Sequence, residues 1–145
     1  MSSHIIAWLS EFLSDRSQRV IINGTASNLL MITSGVPQGT ILAPTLFSIF
    51  VKDLLDLELC SDLTAYADDI KIFGHVSPEK WLVHDLHLIE GWSIENNMFI
   101  KVDKSGVMHW GKKNPNHSYL INSLDLLIVS NYKDLGIVID SSLFC

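Results

Sequence analysis

The chain has 145 residues, of which 48% are hydrophobic and 18% are charged, and its formal net charge is −6. This length is enough to bury a hydrophobic core, and the composition excludes an intrinsically disordered chain. Two cysteines, Cys60 and Cys145, are too few for a disulfide scaffold. The acidic balance predicts weak nucleic-acid binding by this chain alone, because phosphate backbones are held mainly by Lys and Arg.

The sequence gives no signal for secretion or membrane insertion. Its longest apolar stretch, Thr40–Val51, contains polar residues and is shorter than the roughly twenty positions that cross a bilayer. The N-terminal residues lack the basic region of a signal peptide. We therefore expect an intracellular protein without a membrane anchor, with Cys60 as a buried free thiol and Cys145 as a terminal one.

The first half of the chain is predicted to contain a helix, a hairpin, a loop and a second helix. Apolar residues recur at helical spacing from His4 to Leu13. Asn23 and Gly24 predict a two-residue hairpin turn, because both central positions of that turn need positive φ. A strand with the sequence LLMIT and the loop SGVPQG follow, and an apolar stripe then predicts a core helix from Thr40 to about Leu59.

The second half is predicted to contain another hairpin, a long helix and short strands. The sequence LTAYADDIKIF indicates two strands joined by a tight turn over Ala67 and Asp68. A helix with Ser77 as N-cap runs to about Asn97, and the segments SGVMHWG, SYLIN, DLLIVS and LGIVID are strand candidates. This order predicts one α+β domain over residues 1–145, an antiparallel sheet with helices packed on one face.

Asp68 and Asp69 are the first candidate site residues. Two adjacent carboxylates at a turn repel each other unless they share a divalent cation, and Mg²⁺ prefers oxygen ligands of this kind. Asp is also common in turns for its own hydrogen bonding, so the pair by itself favours a solvated turn over a metal site.

Other residues carry weaker functional signals. His84 and His87 lie three positions apart on the long predicted helix, which suits zinc binding or, more simply, an exposed helix face. Trp110 and Tyr119 are candidates for stacking on nucleic-acid bases, with packing in the core or sheet as the alternative.

Several motifs in order resemble the polymerase core of reverse transcriptases, most closely that of non-LTR retrotransposons. The loop and helix SGVPQGTILAPTLFSIFVKDL is followed by the hairpin LTAYADDIKIF. Upstream, WLSEFLSDRSQRVIINGTAS resembles the segment that precedes this loop in the family. Downstream, IEGWSIENNMFIKVDKSGVMHWGKKNPNHSYLIN and YKDLGIVIDSSL resemble the end of the palm and the approach to the thumb. The resemblance covers nearly the whole chain.

The resemblance implies a metal-dependent site at the predicted hairpin tip. Tyr66 and Ala67 would lie beside the nucleotide and template, and Asp68 would bind the catalytic Mg²⁺ ions, with Asp69 supporting or sharing their ligation. Mn²⁺ is the alternative ion. The implied reaction adds deoxynucleotides to a primer 3′-hydroxyl through two-metal phosphoryl transfer.

The resemblance also assigns roles to the SGVPQG loop and to one lysine. Gly35 and Gly39 would let the backbone approach template and nucleotide, Pro37 would stiffen the turn, and the Gln38 amide would hydrogen-bond nucleic acid. The loop by itself favours a simple junction before a helix capped by Thr40. Lys104 matches a lysine proposed to protonate the leaving pyrophosphate, although Lys101 and Ser105 replace the usual neighbouring residue types; a solvated surface lysine is the alternative.

The resemblance further implies a third catalytic aspartate, on a strand upstream of every motif matched here. Asp15 does not replace it, because its segment aligns after that strand. We therefore expect a partial palm with the start of the thumb connection, lacking fingers and inactive by itself. An unpaired sheet edge predicts poor solubility. The full-length protein would use an RNA template, a DNA primer and deoxynucleotides, in the nucleus or cytoplasm.

Two other interpretations remain open at this point. The chain could be a non-catalytic remnant of a truncated retrotransposon, with at most a role in protein interaction. It could also derive from another right-hand polymerase, such as a group II intron or telomerase-like protein. The genomic sequence immediately 5′ of Met1 would distinguish a fragment of a working enzyme from a remnant.

Overall fold

A computed structural model describes residues 2–75 and 80–144. The chain forms two compact units, Met1–Val51 and Lys52–Cys145. The N-cap predicted at Ser77 and the thiol of Cys145 lie outside the described residues. Among the helices described, none combines the length and apolarity required to cross a bilayer.

The first unit contains two helices and two small antiparallel sheets. Its elements are α1 Ser3–Leu13, β1 Ser17–Gln18, β2 Ile21–Ile22, β3 Thr25–Ala26, β4 Leu30–Met31 and α2 Ala43–Phe50. Strand β1 pairs with β4 and β2 pairs with β3. The turn between β2 and β3 has Asn23 at φ 49° and Gly24 at φ 80°, so the predicted Asn-Gly hairpin is confirmed.

The second unit contains the remaining helices and the longer hairpins. Its elements are α3 Lys52–Leu55, β5 Asp62–Tyr66, β6 Asp69–Phe73, α4 Lys80–Glu95, β7 Gly106–Val107, β8 Leu120–Ile121, β9 Leu124–Asp125, β10 Leu127–Ile128, β11 Asn131–Asp134 and β12 Ile137–Asp140, with short 3₁₀ turns at Val102–Lys104 and Ser141–Phe144. Helix α4 packs against β8. The antiparallel pairs are β5–β6, β8–β9 and β11–β12, whereas β7 and β10 pair in parallel.

The hydrophobic core of the second unit lies between α4 and the strands that follow it. Four buried residues form its centre, and Ile72, Leu82, Ile100, Val102 and Val107 pack around them. The central residues are Leu86, Tyr119, Ile121 and Leu126. The inner side of β6 therefore contacts the core through Ile72, which anchors the β5–β6 hairpin.

The mixed helix and strand content agrees with the α+β prediction, but the strands are arranged differently. Within the described ranges they form six separate two-stranded sheets, one of them parallel, where the sequence predicted one antiparallel sheet. Four of these pairs are only two residues long: β2–β3 and β8–β9 are closed by short turns, whereas β1–β4 and β7–β10 join segments that are distant in the chain.

Two other predictions are wrong in detail. The core helix predicted from Thr40 to Leu59 is two helices, α2 and α3, interrupted at Val51, whose ψ of 3° lies outside the helical region. Ile41 precedes α2 and is 96% exposed, so it does not belong to a buried stripe. Cys60 is exposed rather than buried, because it lies in the turn before β5.

Candidate active site

The two adjacent aspartates lie at the tip of the β5–β6 hairpin, as predicted. The last paired residues are Tyr66 and Asp69, which leaves Ala67 and Asp68 as the two turn residues. Ala67 has φ 51°, whereas Asp68 does not have positive φ. This is the pattern of a type II′ turn, whose twist matches that of the flanking strands.

Both carboxylates at this tip face solvent. Asp68 and Asp69 are exposed, and within the ranges described neither forms an ion pair with Lys, Arg or His. Adjacent negative charges without a cationic partner repel each other. Their oxygens are the ligand type that Mg²⁺ and Mn²⁺ prefer, so the donor chemistry fits a divalent cation.

The described residues supply no third protein ligand to this pair. Among the described residues, one group of three possible metal ligands occurs elsewhere: Cys60, His84 and Asp85, whose ligand atoms lie within 4.8 Å of one another. The tip therefore carries two carboxylates, one fewer than the three that the resemblance implies. Any further ligand comes from another segment, from water or from the substrate.

The Cys60, His84 and Asp85 group is better explained as a structural contact. Asp85 is fully buried, and its two carboxylate oxygens accept the backbone N–H groups of Cys60 at 2.9 Å and Ser61 at 2.8 Å. A cation would compete with these bonds for the same oxygens. Asp85 therefore fixes the turn that leads into β5.

The histidine pair on α4 fits the exposed-face interpretation. The side chains of His84 and His87 are 55% and 72% exposed. His87 lies 3.6 Å from Glu90, and within the described residues it does not join the three-ligand group that contains His84.

The SGVPQG loop belongs to the first unit and has the backbone conformation that its glycines permit. Gly35 and Gly39 both have φ 80°, and no atom lies within 4 Å of a Cβ built on either. The carbonyl of Pro37 accepts a hydrogen bond from the Thr40 hydroxyl at 2.8 Å. Gln38 is exposed. The loop therefore presents open backbone at its glycines and the Gln38 side chain to solvent.

Arg16 holds this loop in place, a contact that sequence reasoning did not predict. Its guanidinium donates to the carbonyl of Gly35, and its Nε donates to the carbonyl of Leu13 at 2.8 Å. The guanidinium thereby joins the end of α1 to the start of the loop. The sequence gives no local pattern for this contact, because Arg16 and Gly35 are 19 positions apart.

The other predicted residues lie on separate elements of the second unit. Lys104 is exposed at the end of the 3₁₀ turn before β7. Tyr119 is 3% exposed and belongs to the core, which supports the packing interpretation. Trp110 stacks on Phe73, with ring centroids 6.3 Å apart and planes 11° apart. The hairpin tip thus brings together Tyr66, Ala67, Asp68 and Asp69.

Comparison with known proteins decides the family. A family model described as "Reverse transcriptase (RNA-dependent DNA polymerase)" matches residues 1–139. The chain belongs to the reverse transcriptase family. The match includes the SGVPQG loop, the YADD hairpin and the segment containing Lys104, so the resemblance inferred from these motifs is confirmed.

The relatives of this reverse transcriptase chain are mobile-element polymerases. It is 28% identical over 155 residues to an "RNA-directed DNA polymerase from mobile element jockey" of Drosophila funebris, covering 99% of the chain and 17% of that protein. It is 25% identical over 147 residues to the protein of the same name from Drosophila melanogaster, covering 93% and 16%. These matches favour the non-LTR class over the other right-hand polymerases.

The reverse transcriptase chain spans about a sixth of the length of these curated relatives. No solved structure matches it significantly.

Proposed function

We propose that the chain is a partial reverse transcriptase domain over residues 1–145 that supplies the metal-binding hairpin of a polymerase palm. The observation that carries the proposal is the position of Asp68 and Asp69, adjacent and exposed at a type II′ turn. In the proposed reaction the complete enzyme adds deoxynucleotides to a primer 3′-hydroxyl along an RNA template.

Asp68 and Asp69 are the residues that would hold Mg²⁺ or Mn²⁺. A divalent cation bound there would neutralise charge on phosphoryl oxygens and make the primer hydroxyl more acidic; the resemblance implies two such ions. The protein's contribution is positional. The turn fixes the backbone at Asp68, and the strand pairing of Asp69 with Tyr66 fixes the second carboxylate.

The remaining roles concern substrate binding. The small Ala67 leaves room for a primer backbone beside the carboxylates. The open backbone at Gly35 and Gly39 would allow close approach of template and nucleotide, with Pro37 limiting the loop's motion and Gln38 donating from its amide. Tyr66, 64% exposed, would contact the nucleotide. Lys104 would donate a proton to the leaving pyrophosphate.

Mn²⁺ binding by the purified chain tests the metal site. Electron paramagnetic resonance reports free Mn²⁺, and we expect binding that Asp68→Asn and Asp69→Asn each weaken strongly. Asp62→Asn is the matched control, because Asp62 is exposed at the far end of β5. Equal affinity in Asp68→Asn and the unchanged chain would refute the metal site.

Primer extension on an RNA template tests the role of the third carboxylate. We expect no incorporation by the 145-residue chain with Mg²⁺ or Mn²⁺, because the described residues provide two carboxylates at the tip. Robust synthesis would show that a third ligand comes from within this sequence.

The second candidate is a non-catalytic remnant with a protein-interaction role. It is favoured by the absence, within the described ranges, of a third metal-ligating residue beside Asp68 and Asp69. An in-frame aspartate segment encoded upstream of Met1 would argue against it. Nuclear or cytoplasmic localisation stays a prediction.

A further inference from the structure

The side of β6 that faces away from the core carries the ammonium group of Lys71. This positive charge lies close to Asp68 and Asp69, which together form the acidic tip of the hairpin. Successive side chains of a strand point to opposite faces, so Asp69 and Lys71 share the face opposite to Ile72. Two residues along a strand span about 7 Å. The flexible stem of an unrestrained Lys71 is long enough to bring its ammonium to the Asp69 carboxylate.

The structure shows the Lys71 ammonium in a different pairing. It donates to the carboxylate of Asp134, the last residue of β11. The side chains are only 25% and 20% exposed, so this pair is screened by solvent less than a surface pair.

A tight turn defines the backbone at Asp134. Asp134 pairs with Ile137 across a two-residue turn, in which Leu135 has φ 46° and Gly136 has φ 91°. Positive φ at both central residues defines a type I′ turn, a tight connection with little freedom. The Asp134 carboxylate that accepts from Lys71 therefore stands on a well-defined backbone.

The geometry points to Asp134 as a positioning residue for the acidic tip: by holding the Lys71 ammonium, it keeps a competing cation away from Asp69. This inference rests on the proposed metal-binding function of the tip. Without Asp134, the Lys71 ammonium would pair with the Asp69 carboxylate. It would then neutralise the negative charge that attracts a divalent cation. The effect of Asp134 on the metal is therefore electrostatic and acts through Lys71.

A double-mutant cycle on Mn²⁺ affinity tests this role. We expect Asp134→Asn to weaken Mn²⁺ binding about fivefold. This is the effect of a unit positive charge on a divalent cation about 7 Å away in a mostly aqueous medium. Lys71→Met should not weaken it, because the competing cation is gone. The double variant should match Lys71→Met, since Asp134 has nothing left to hold. Asp125→Asn and Lys133→Met are exposed controls with the same charge changes.

The outcomes separate this role from a structural one. If Lys71→Met weakens Mn²⁺ binding as much as Asp134→Asn does, the ion pair only stabilises the local structure, and the inference is wrong. Unchanged affinity in Asp134→Asn also overturns it.

If the unchanged chain binds no Mn²⁺, the proposed function fails first, and a metal-free measurement then decides the pairing. We expect the NMR signals of the Lys71 ε-methylene group to shift in Asp134→Asn. Identical signals in both proteins would show that Asp134 does not hold Lys71.

Discussion

The buried carboxylate of Asp85 on α4 accepts the backbone N–H of Ser61 at 2.8 Å, one residue before β5 begins. Its other oxygen accepts the N–H of Cys60 at 2.9 Å. Both donors belong to the short segment that leads into β5. The helix thereby fixes the origin of the strand that leads to the acidic tip.

Replacing Asp85 by Ala should destabilise the second unit. Asp85 has no exposed surface, and its removal leaves two N–H groups without their acceptor. We expect a loss of about 2–4 kcal/mol in the free energy of unfolding. Urea unfolding followed by tryptophan fluorescence measures this change. Asp103→Ala is the control, because Asp103 is exposed on a neighbouring turn; equal losses in the two variants would contradict the prediction.

The stability contributed by Asp85 should depend on pH. Burial raises the pKa of this carboxyl, but hydrogen bonds from Ser61, Cys60 and His84 together outweigh it and hold the pKa below its ordinary value. The unfolded state then binds more protons than the folded state, so stability rises with pH in this range. The contribution is fully present above about pH 4 and is lost as the pH falls through the folded-state pKa.

Comparing the unchanged chain with Asp85→Asn at several pH values measures this dependence. The difference in unfolding free energy between the two proteins should be constant between about pH 5 and 7, because ordinary carboxyl pKa values are about 4. It should shrink below that range. A difference that grows on acidification would reverse the sign argued here.

Local turn chemistry explains which parts of the fold could be predicted. Asn23-Gly24 and the Ala67-Asp68 turn depend on residues next to each other in the chain, and both hairpins were predicted correctly. Strand β11 was missed, since its sequence NYKD lacks the apolar alternation that marks a strand.

Contacts between distant residues explain what the sequence could not show. Arg16 and Gly35 are 19 positions apart, Asp85 and Ser61 are 24 apart, and Lys71 and Asp134 are 63 apart. No periodicity links such pairs, because each depends on how separate elements pack. The acidic tip itself was predictable, whereas the residues that support it were not.

Binding of nucleic acid by the chain alone should be weak. The formal net charge of −6 disfavours a phosphate backbone, and we expect a dissociation constant weaker than about 10⁻⁴ M at physiological salt. Fluorescence anisotropy with a labelled RNA–DNA duplex measures it. The adjacent exposed lysines Lys112 and Lys113 are the best candidates for residual contacts, so Lys112→Ala with Lys113→Ala should lower the salt dependence. Micromolar binding at physiological salt would contradict this expectation.

The turn residue before the two aspartates carries backbone strain. Ala67 has φ 51°, at a position where a type II′ turn favours glycine. Ala67→Gly should relieve this strain and stabilise the hairpin by about 1 kcal/mol. Ala67→Val should destabilise it, because a β-branched side chain tolerates positive φ poorly.

Thermal unfolding and amide hydrogen exchange at Tyr66 and Asp69 measure both changes. Ala65→Gly provides the opposite control, since Ala65 pairs with Ile70 in the extended part of the same hairpin. Glycine there adds freedom to the unfolded chain without relieving strain, so it should destabilise by about 0.5–1 kcal/mol. If both glycine variants lose stability equally, Ala67 is not strained, and the turn geometry that positions Asp68 must be revised.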